Sequence, residues 1–318
     1  MQKNKEPIFH VVKRDAMPWY RSMGIRVAAI LLALILCAVI TTITTGINPI
    51  QVYESIFTGA FGTVRKTWVT LQNTAILLLI ALALTPAFKM KFWNIGGEGQ
   101  VLMGGLAAAA CMICLADKIP NVLLIVCMII ASIAAGAIWG FIPAFFKTKW
   151  NTNETLSTLM MNYIATQLVA FFTIVWEVPK GSGKIGIINQ DSKLGWLPQI
   201  FGSKYLLSII VAVIITIFMY IYLKYSKQGY EITVVGESEN TAKYVGIKVG
   251  KVIIRTMVLS GAICGLVGLL LVGGINHTLT TTVVDSRGFT AVMVSWMAKF
   301  NPIMMVFTSL LLVFLSRG

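Results

Sequence analysis

The residues with the types and spacing to do chemistry lie first in Phe92-Trp93-Asn94-Ile95-Gly96-Gly97-Glu98-Gly99-Gln100, which opens an otherwise apolar run. Each glycine in a helix costs about 1 kcal/mol relative to alanine. Non-helical backbone at membrane depth is tolerated only where protein buries it or a wet cavity borders it. A helix starting here would turn its free N–H groups toward polar atoms of a ligand. Asn94, Glu98 and Gln100 are therefore candidates for a polar pathway, not for bond-breaking chemistry. Asn162 is a second candidate, with Thr166 on the same helical face one turn on. A buried asparagine in a span either joins helices or meets a substrate.

A third segment, Gly236-Glu237-Ser238-Glu239-Asn240-Thr241-Ala242-Lys243-Tyr244-Val245-Gly246-Ile247, reads as a two-turn helix. Ser238 suits its N-cap and Gly246 its C′ position, and Glu239 precedes Lys243 by four residues. Two turns are marginal in water. Such a helix needs a surface to dock on, with Ala242 and Val245 to bury and Tyr244 as anchor.

Catalytic and energising motifs are missing. Gly181-Ser182-Gly183-Lys184-Ile185 has Val178 and Ile185 where a phosphate-binding loop needs Gly and Ser/Thr, and reads as a flexible loop. Gly97 and Gly99 lack the third glycine of a dinucleotide fingerprint at Leu102. His10 and His277 are too few for a histidine metal cluster or a triad, so no metal, cofactor or catalytic residue is expected. Cys111-x-x-Cys114 has no second pair or histidine near it and reads as helix packing. The spans also lack the Asp/Glu/His chains of a proton pump. Uphill movement would need energy from another subunit.

The elements that must carry these residues are membrane helices. Of 318 residues, 57% are hydrophobic and 12% charged, against roughly 25% charged in soluble proteins. Such a chain cannot cover a soluble globule. It is expected to be an all-α polytopic integral membrane protein. A span takes about 20 apolar residues. Candidates are 27–45, 68–88, 95–116, 121–146, 156–176, 205–225, 252–275 and 288–315, the last broken at Lys299-Phe300-Asn301-Pro302, where proline cannot continue a helix. That makes about eight membrane segments, with Gly59–Val64 as an interfacial stretch. Residues 1–26 form an N-terminal segment, 27–318 the transmembrane domain, and about 226–251 a loop between spans.

The net charge is +14. The basic residues cluster between apolar runs, the positive-inside pattern and not a nucleic-acid surface. With the N-terminus in the cytoplasm, the inner loops hold about twice the Lys and Arg of the outer ones, so the loop of Ser238 faces the cytoplasm. Gly136-x-x-x-Gly140 and Gly261-x-x-x-Gly265 let helices approach closely.

Asn94–Gln100 followed by Gly104-Gly105-Leu106-Ala107-Ala108, and Asn153-Glu154 followed by Thr158-Leu159-Met160-Met161-Asn162-Tyr163-Ile164-Ala165, resemble signatures of the permeases of bacterial ATP-binding-cassette (ABC) importers for nucleosides and simple sugars. The segment Gly236–Ile247, the pairs Ser260-Gly261 and Gly265–Gly268, and the Asn301-Pro302 break fit the same family. The resemblance implies a permease subunit in the cell membrane, spanning the lipid bilayer and moving nucleosides, or alternatively simple sugars, by alternating access. It further implies separate ATP-binding cassette ATPase subunits, a second and often different permease, and an extracytoplasmic substrate-binding lipoprotein. Asn73, Asn94, Glu98, Gln100, Asn162 and Trp176 are then the candidates for the substrate pathway. Gly236, Glu237, Asn240, Ala242, Tyr244 and Gly246 are those for coupling to the ATPase. Two departures stand out. Gly97 replaces a residue that is often branched in relatives, and the sequence stops at Ser316-Arg317-Gly318 where they continue, so the last helix is expected to pack poorly. A stand-alone secondary transporter would need its own ion site, and Glu98 is the one acid near a span core.

Overall fold

The computed structural model describes residues 18–317, so most of the expected N-terminal segment, with Lys3, Lys5, Lys13 and Arg14, lies outside the described residues. The regular elements among the described residues are all helices, without a strand. The chain divides into two compact units after Phe57.

The first unit holds α1 (Trp19–Thr45) and the start of α2 (Pro49–Phe61). Gly46 ends α1 in the left-handed conformation, its N–H donating to the Thr42 carbonyl, as glycine permits without a Cβ penalty. Leu31–Thr45 and α2 meet at 108°. The short apolar stretch expected at Gly59–Val64 is thus the tail of a thirteen-residue helix, a two-residue bend and the start of the next helix. At 13 residues, α2 is too short to cross a bilayer by itself.

The second unit contains α3 (Val64–Lys89), α4 (Gly97–Leu115), α5 (Asn121–Trp150), α6 (Glu154–Val175), α7 (Leu206–Tyr225), α8 (Lys227–Glu237), α9 (Glu239–Tyr244) and α10 (Val249–Leu269). A π-helical stretch, Leu270–Asn276, continues α10, and α11 (Arg287–Met297) and α12 (Pro302–Arg317) follow. Six helices in this unit, with α10 and its π-helical end counted together, have the length and hydropathy of spans. The bent α1–α2 pair makes a seventh and the shorter apolar helix α12 stands beside them, in rough agreement with the expected eight segments. Asn153 caps α6 by accepting the Leu156 N–H. The last segment breaks where proline was expected to break it. Lys299 and Phe300 take positive φ, and the Asn301 carboxamide accepts the Ile303 N–H at 3.0 Å to start α12. Met305, Ser309 and Val313 of α12 are buried, and the helix lies against α3. The last helix is thus seated, contrary to the expected poor packing.

The central helix is α3, buried along almost its whole apolar length. Beside it lies α10, and α4, α5 and α10 pack backbone to backbone on one another. A Cβ on Gly136 would overlap the Gly261 carbonyl, one on Gly140 the Met257 carbonyl, and one on Gly265 the Ser132 carbonyl. Gly104 faces Gly265, and Gly268 faces Gly105 in the same way. The small-residue spacing thus performs the close packing it predicts, and the contact fixes α4 relative to α10.

Candidate functional site

The chain between α3 and α4 is held by side chains from two other helices. Ser260 on α10, Asn94 and Gln100 form a closed ring. Asn94 Nδ2 donates to Ser260 Oγ (3.1 Å), Ser260 Oγ to Gln100 Oε1 (3.4 Å), and Gln100 Nε2 to Asn94 Oδ1 (3.4 Å). Asn94 Oδ1 also accepts the Gly96 N–H at 3.0 Å. From α6, Asn162 Nδ2 donates to the Ile95 carbonyl (2.9 Å) and its Oδ1 accepts the Gly99 N–H (2.8 Å). Thr158 Oγ1 accepts the Ile95 N–H at 3.2 Å. Asn94, Gln100 and Asn162 are buried, and these bonds satisfy backbone groups that no helix could. A Cβ on Gly99 would sit 2.9 Å from Asn162 Oδ1, so glycine there admits the α6 asparagine. On Gly97 it would meet the flexible end of Leu84 at 3.2 Å.

Glu98 turns the other way. Its carboxylate accepts the Ser286 N–H (3.1 Å) and the Gly288 N–H (2.8 Å), at the N-terminus of α11. Free N–H groups and the positive end of the helix dipole both favour a carboxylate in this position. The approach needs Gly288, because a Cβ there would lie 2.7 Å from Glu98 Oε2. Between the two donors sits Arg287. Its Nη2 donates to Asn73 Oδ1 of α3 at 2.9 Å, while Asp285 stands 3.9 Å away and is largely exposed. One turn of α11 therefore joins Asn73 on α3 to Glu98 on α4. Arg287 also borders two cavities, of about 210 and 260 Å³, and Asn73 lines both.

Trp176 lies elsewhere. It packs on Phe172 with ring centroids 4.8 Å apart and lines a cavity of about 410 Å³ with Glu177, Val178 and Ile187. That cavity shares no lining residue with those at Arg287. It belongs to the loop after α6, which is docked. Asn189 Nδ2 donates to the Met112 and Leu194 carbonyls, the Ile188 N–H to His277, and the Leu197 N–H to Gly273. Trp196 stacks on His277 with centroids 3.7 Å apart. The Gly181–Lys184 turn, expected to be flexible, is closed on the Glu177 carboxylate, which accepts the N–H groups of Gly181 (2.8 Å) and Gly183 (2.9 Å). These two bonds hold the Glu177 carboxyl below its ordinary value. The turn's order should be complete above the ordinary carboxylate range and lost as pH falls through the lowered value. Amide exchange at Gly181 and Gly183, corrected for intrinsic rate, should show that loss of protection. Protection independent of pH would mean the carboxylate does not hold the turn.

At the opposite end of the helices, α8 follows α7 after a single residue, Ser226, whose side chain accepts the Gly229 N–H. Of this pair, only α9 is expected from the sequence, although each helix starts at a serine cap. Ser238 accepts the Thr241 N–H at 3.2 Å. Gly246 takes φ +82°, its N–H bonds the Lys243 carbonyl, and the Ile247 N–H bonds that of Ala242, the paired closure expected at a glycine C′. No ion pair joins Glu239 to Lys243 among the described residues. Ala242 is 0% exposed and Tyr244 94% exposed. Gly236 lies against the end of α3, where a Cβ would overlap the Lys89 carbonyl, and Glu231 of α8 pairs with Arg255 of α10 at 3.0 Å. Glu237 closes α8, and Asn240 lies on the first turn of α9.

Neither Arg287 nor Ser260 stands among the pathway candidates read from the sequence. The available signal was an arginine directly preceding an apolar segment, since an ionisable group near membrane depth is costly and normally has a function.

A bundle of apolar helices, joined by a polar crossover that caps a broken helix pair, has the character of a membrane permease. Residues 67–318 match the family described as branched-chain amino acid transport system, permease component, and the chain belongs to it. It is similar to a nucleoside ABC transporter permease protein of Lactococcus lactis, 29% identical over 94% of this chain and 84% of the relative. It is also similar to a guanosine ABC transporter permease protein of Bacillus subtilis, 32% identical over 76% of this chain and 69% of the relative. A glucose ABC transporter permease protein of Haloferax volcanii is 25% identical over 96% and 82% of the two chains. No solved structure matches. The chain is a multi-pass ABC transporter permease.

Proposed function

We propose that this permease carries nucleosides into the cell by alternating access, with ATP hydrolysed by separate ATP-binding cassette subunits. The observation that carries the substrate class is the similarity to a nucleoside permease over nearly the whole of both chains. The similarity to a glucose permease keeps simple sugars as the second reading. An extracytoplasmic binding lipoprotein delivers the ligand, and a second, different permease completes the pathway. The moving parts are the α11–α12 pair and the Asn94–Gln100 crossover, linked through Glu98. The ATPase meets α8 and α9. Uptake of a panel of labelled nucleosides and sugars by the reconstituted importer tests the reading. Uptake of nucleosides, competed by other nucleosides and not by hexoses, is expected. Uptake of sugars alone would transfer the protein to the second reading.

This function places α8, α9 and the N-terminus in the cytoplasm, and the docked loop of Trp196 outside, in accord with the Lys and Arg distribution. An impermeant thiol reagent should label a cysteine introduced at Ser192 in intact cells, and one at Ser238 only after permeabilisation. The reverse pattern would invert the topology.

A further inference from the structure

Arg287 has more hydrogen-bonding capacity than its surroundings use. Its guanidinium presents five N–H donors in one plane. Nη2 meets Asn73 Oδ1, and the nearest acid, Asp285, is 3.9 Å away and solvated. The side chain is only 18% exposed, and a cation so placed in an apolar bundle is costly unless it has a use. The group faces a cavity of about 260 Å³ whose wall also carries Arg65, Lys204 and Gln72, with no carboxylate in the lining. Tyr205 lines the same cavity and is stacked on Trp68, centroids 6.4 Å apart and planes within 9°.

We infer that Arg287, oriented by Asn73, is a specificity-determining contact for the acceptor edge of a 6-oxopurine nucleoside. The inference rests on the nucleoside reading and extends it to a residue and a base. A planar guanidinium pairs in bidentate fashion with two coplanar acceptors. A 6-oxopurine offers O6 and N7 together, whereas a 6-aminopurine puts an N–H₂ donor where O6 would be. A wall of cationic donors favours the same electronegative edge. Sugar hydroxyls both donate and accept, so their donors would meet donors here.

The test uses the complete importer in proteoliposomes, with the binding protein saturated, and compares maximal uptake rates for guanosine and 7-deazaguanosine, which lacks N7. The native complex should carry guanosine about tenfold faster, within the range expected for a good bidentate pair. Arg287→Gln should bring the two rates within about twofold by slowing guanosine. Asn73→Ala, which frees the guanidinium, should reduce the ratio partway and serves if Arg287→Gln fails to assemble. Equal rates in the native complex, or a ratio unchanged in the variants, overturns the inference. Faster uptake of a nucleoside monophosphate than of the nucleoside, lost in Arg287→Gln, would also overturn it by making the site one for anions. Absence of uptake of every nucleoside is a different result, the failure of the nucleoside reading itself.

Discussion

Glu98→Ala should lower uptake by the assembled importer about 10- to 100-fold without loss of the complex. The carboxylate supplies two charge-assisted hydrogen bonds to the start of α11, each worth about 1.5–3 kcal/mol, and removing it leaves two donors without their partner. The bonds link α4, which follows the crossover, to the short α11–α12 pair. Their loss should therefore alter how those elements move together more than it alters the α4–α5–α10 packing, which glycine contacts hold independently. Glu98→Gln keeps one acceptor oxygen but removes the charge that the helix dipole favours, so an intermediate rate is expected. Gly288→Val approaches the same contact from the other side, since its Cβ would displace the carboxylate, and should match Glu98→Ala. Initial uptake rates normalised to reconstituted complex decide the matter. A native rate in Glu98→Ala would reduce Glu98 to a local cap with no part in transport.

Tyr244→Ala should abolish most of the ATPase stimulation that liganded binding protein produces, while the permease still inserts and binds lipid and partner permease. The sequence marks Ala242 and Val245 for burial against a partner and Tyr244 as the anchor. Yet Ala242 is buried within its own chain, and Tyr244 and Val245 are the large apolar members of that turn left uncovered. Ala242→Arg would accordingly damage the seat of α9 before it touched any partner. A tyrosine taken from full exposure into an interface contributes roughly 1.5–3 kcal/mol, and aromatic anchors commonly dominate such contacts. Force delivered at α9 has a short route into the membrane. Gly236 puts the backbone of α8 against the last turn of the central helix α3, and Glu231 ties α8 to α10. Gly236→Val should uncouple through a different fault, raising basal hydrolysis or lowering stimulation even though Tyr244 remains. Full stimulation in a Tyr244→Ala, Val245→Ala double variant would exclude α9 as the docking element.

Much of this was legible from residues alone. Apolar run length set the spans, because a bilayer demands about 20 residues of any helix that crosses it. Proline and asparagine at 301–302 set the break between α11 and α12, and Ser238 and Gly246 set the ends of α9, because capping is satisfied within a few residues of the chain. The Gly136 and Gly261 repeats announced close helix contact, though not which helices would meet. What needed the tertiary structure was every polar partnership across long sequence separation. Asn94, Gln100 and Asn162 look alike in the sequence, as polar residues near spans, and only folding shows their capacity bound up with Ser260 and the crossover backbone. Glu98 finds its donors 188 and 190 residues away, and Asn73 meets Arg287 across 214. Local sequence determines where a helix starts and stops because those bonds close locally. Which carboxylate caps which helix, and which guanidinium is left facing a cavity, depends on how α3, α4 and α11 converge, and those bonds close only between segments distant in the sequence.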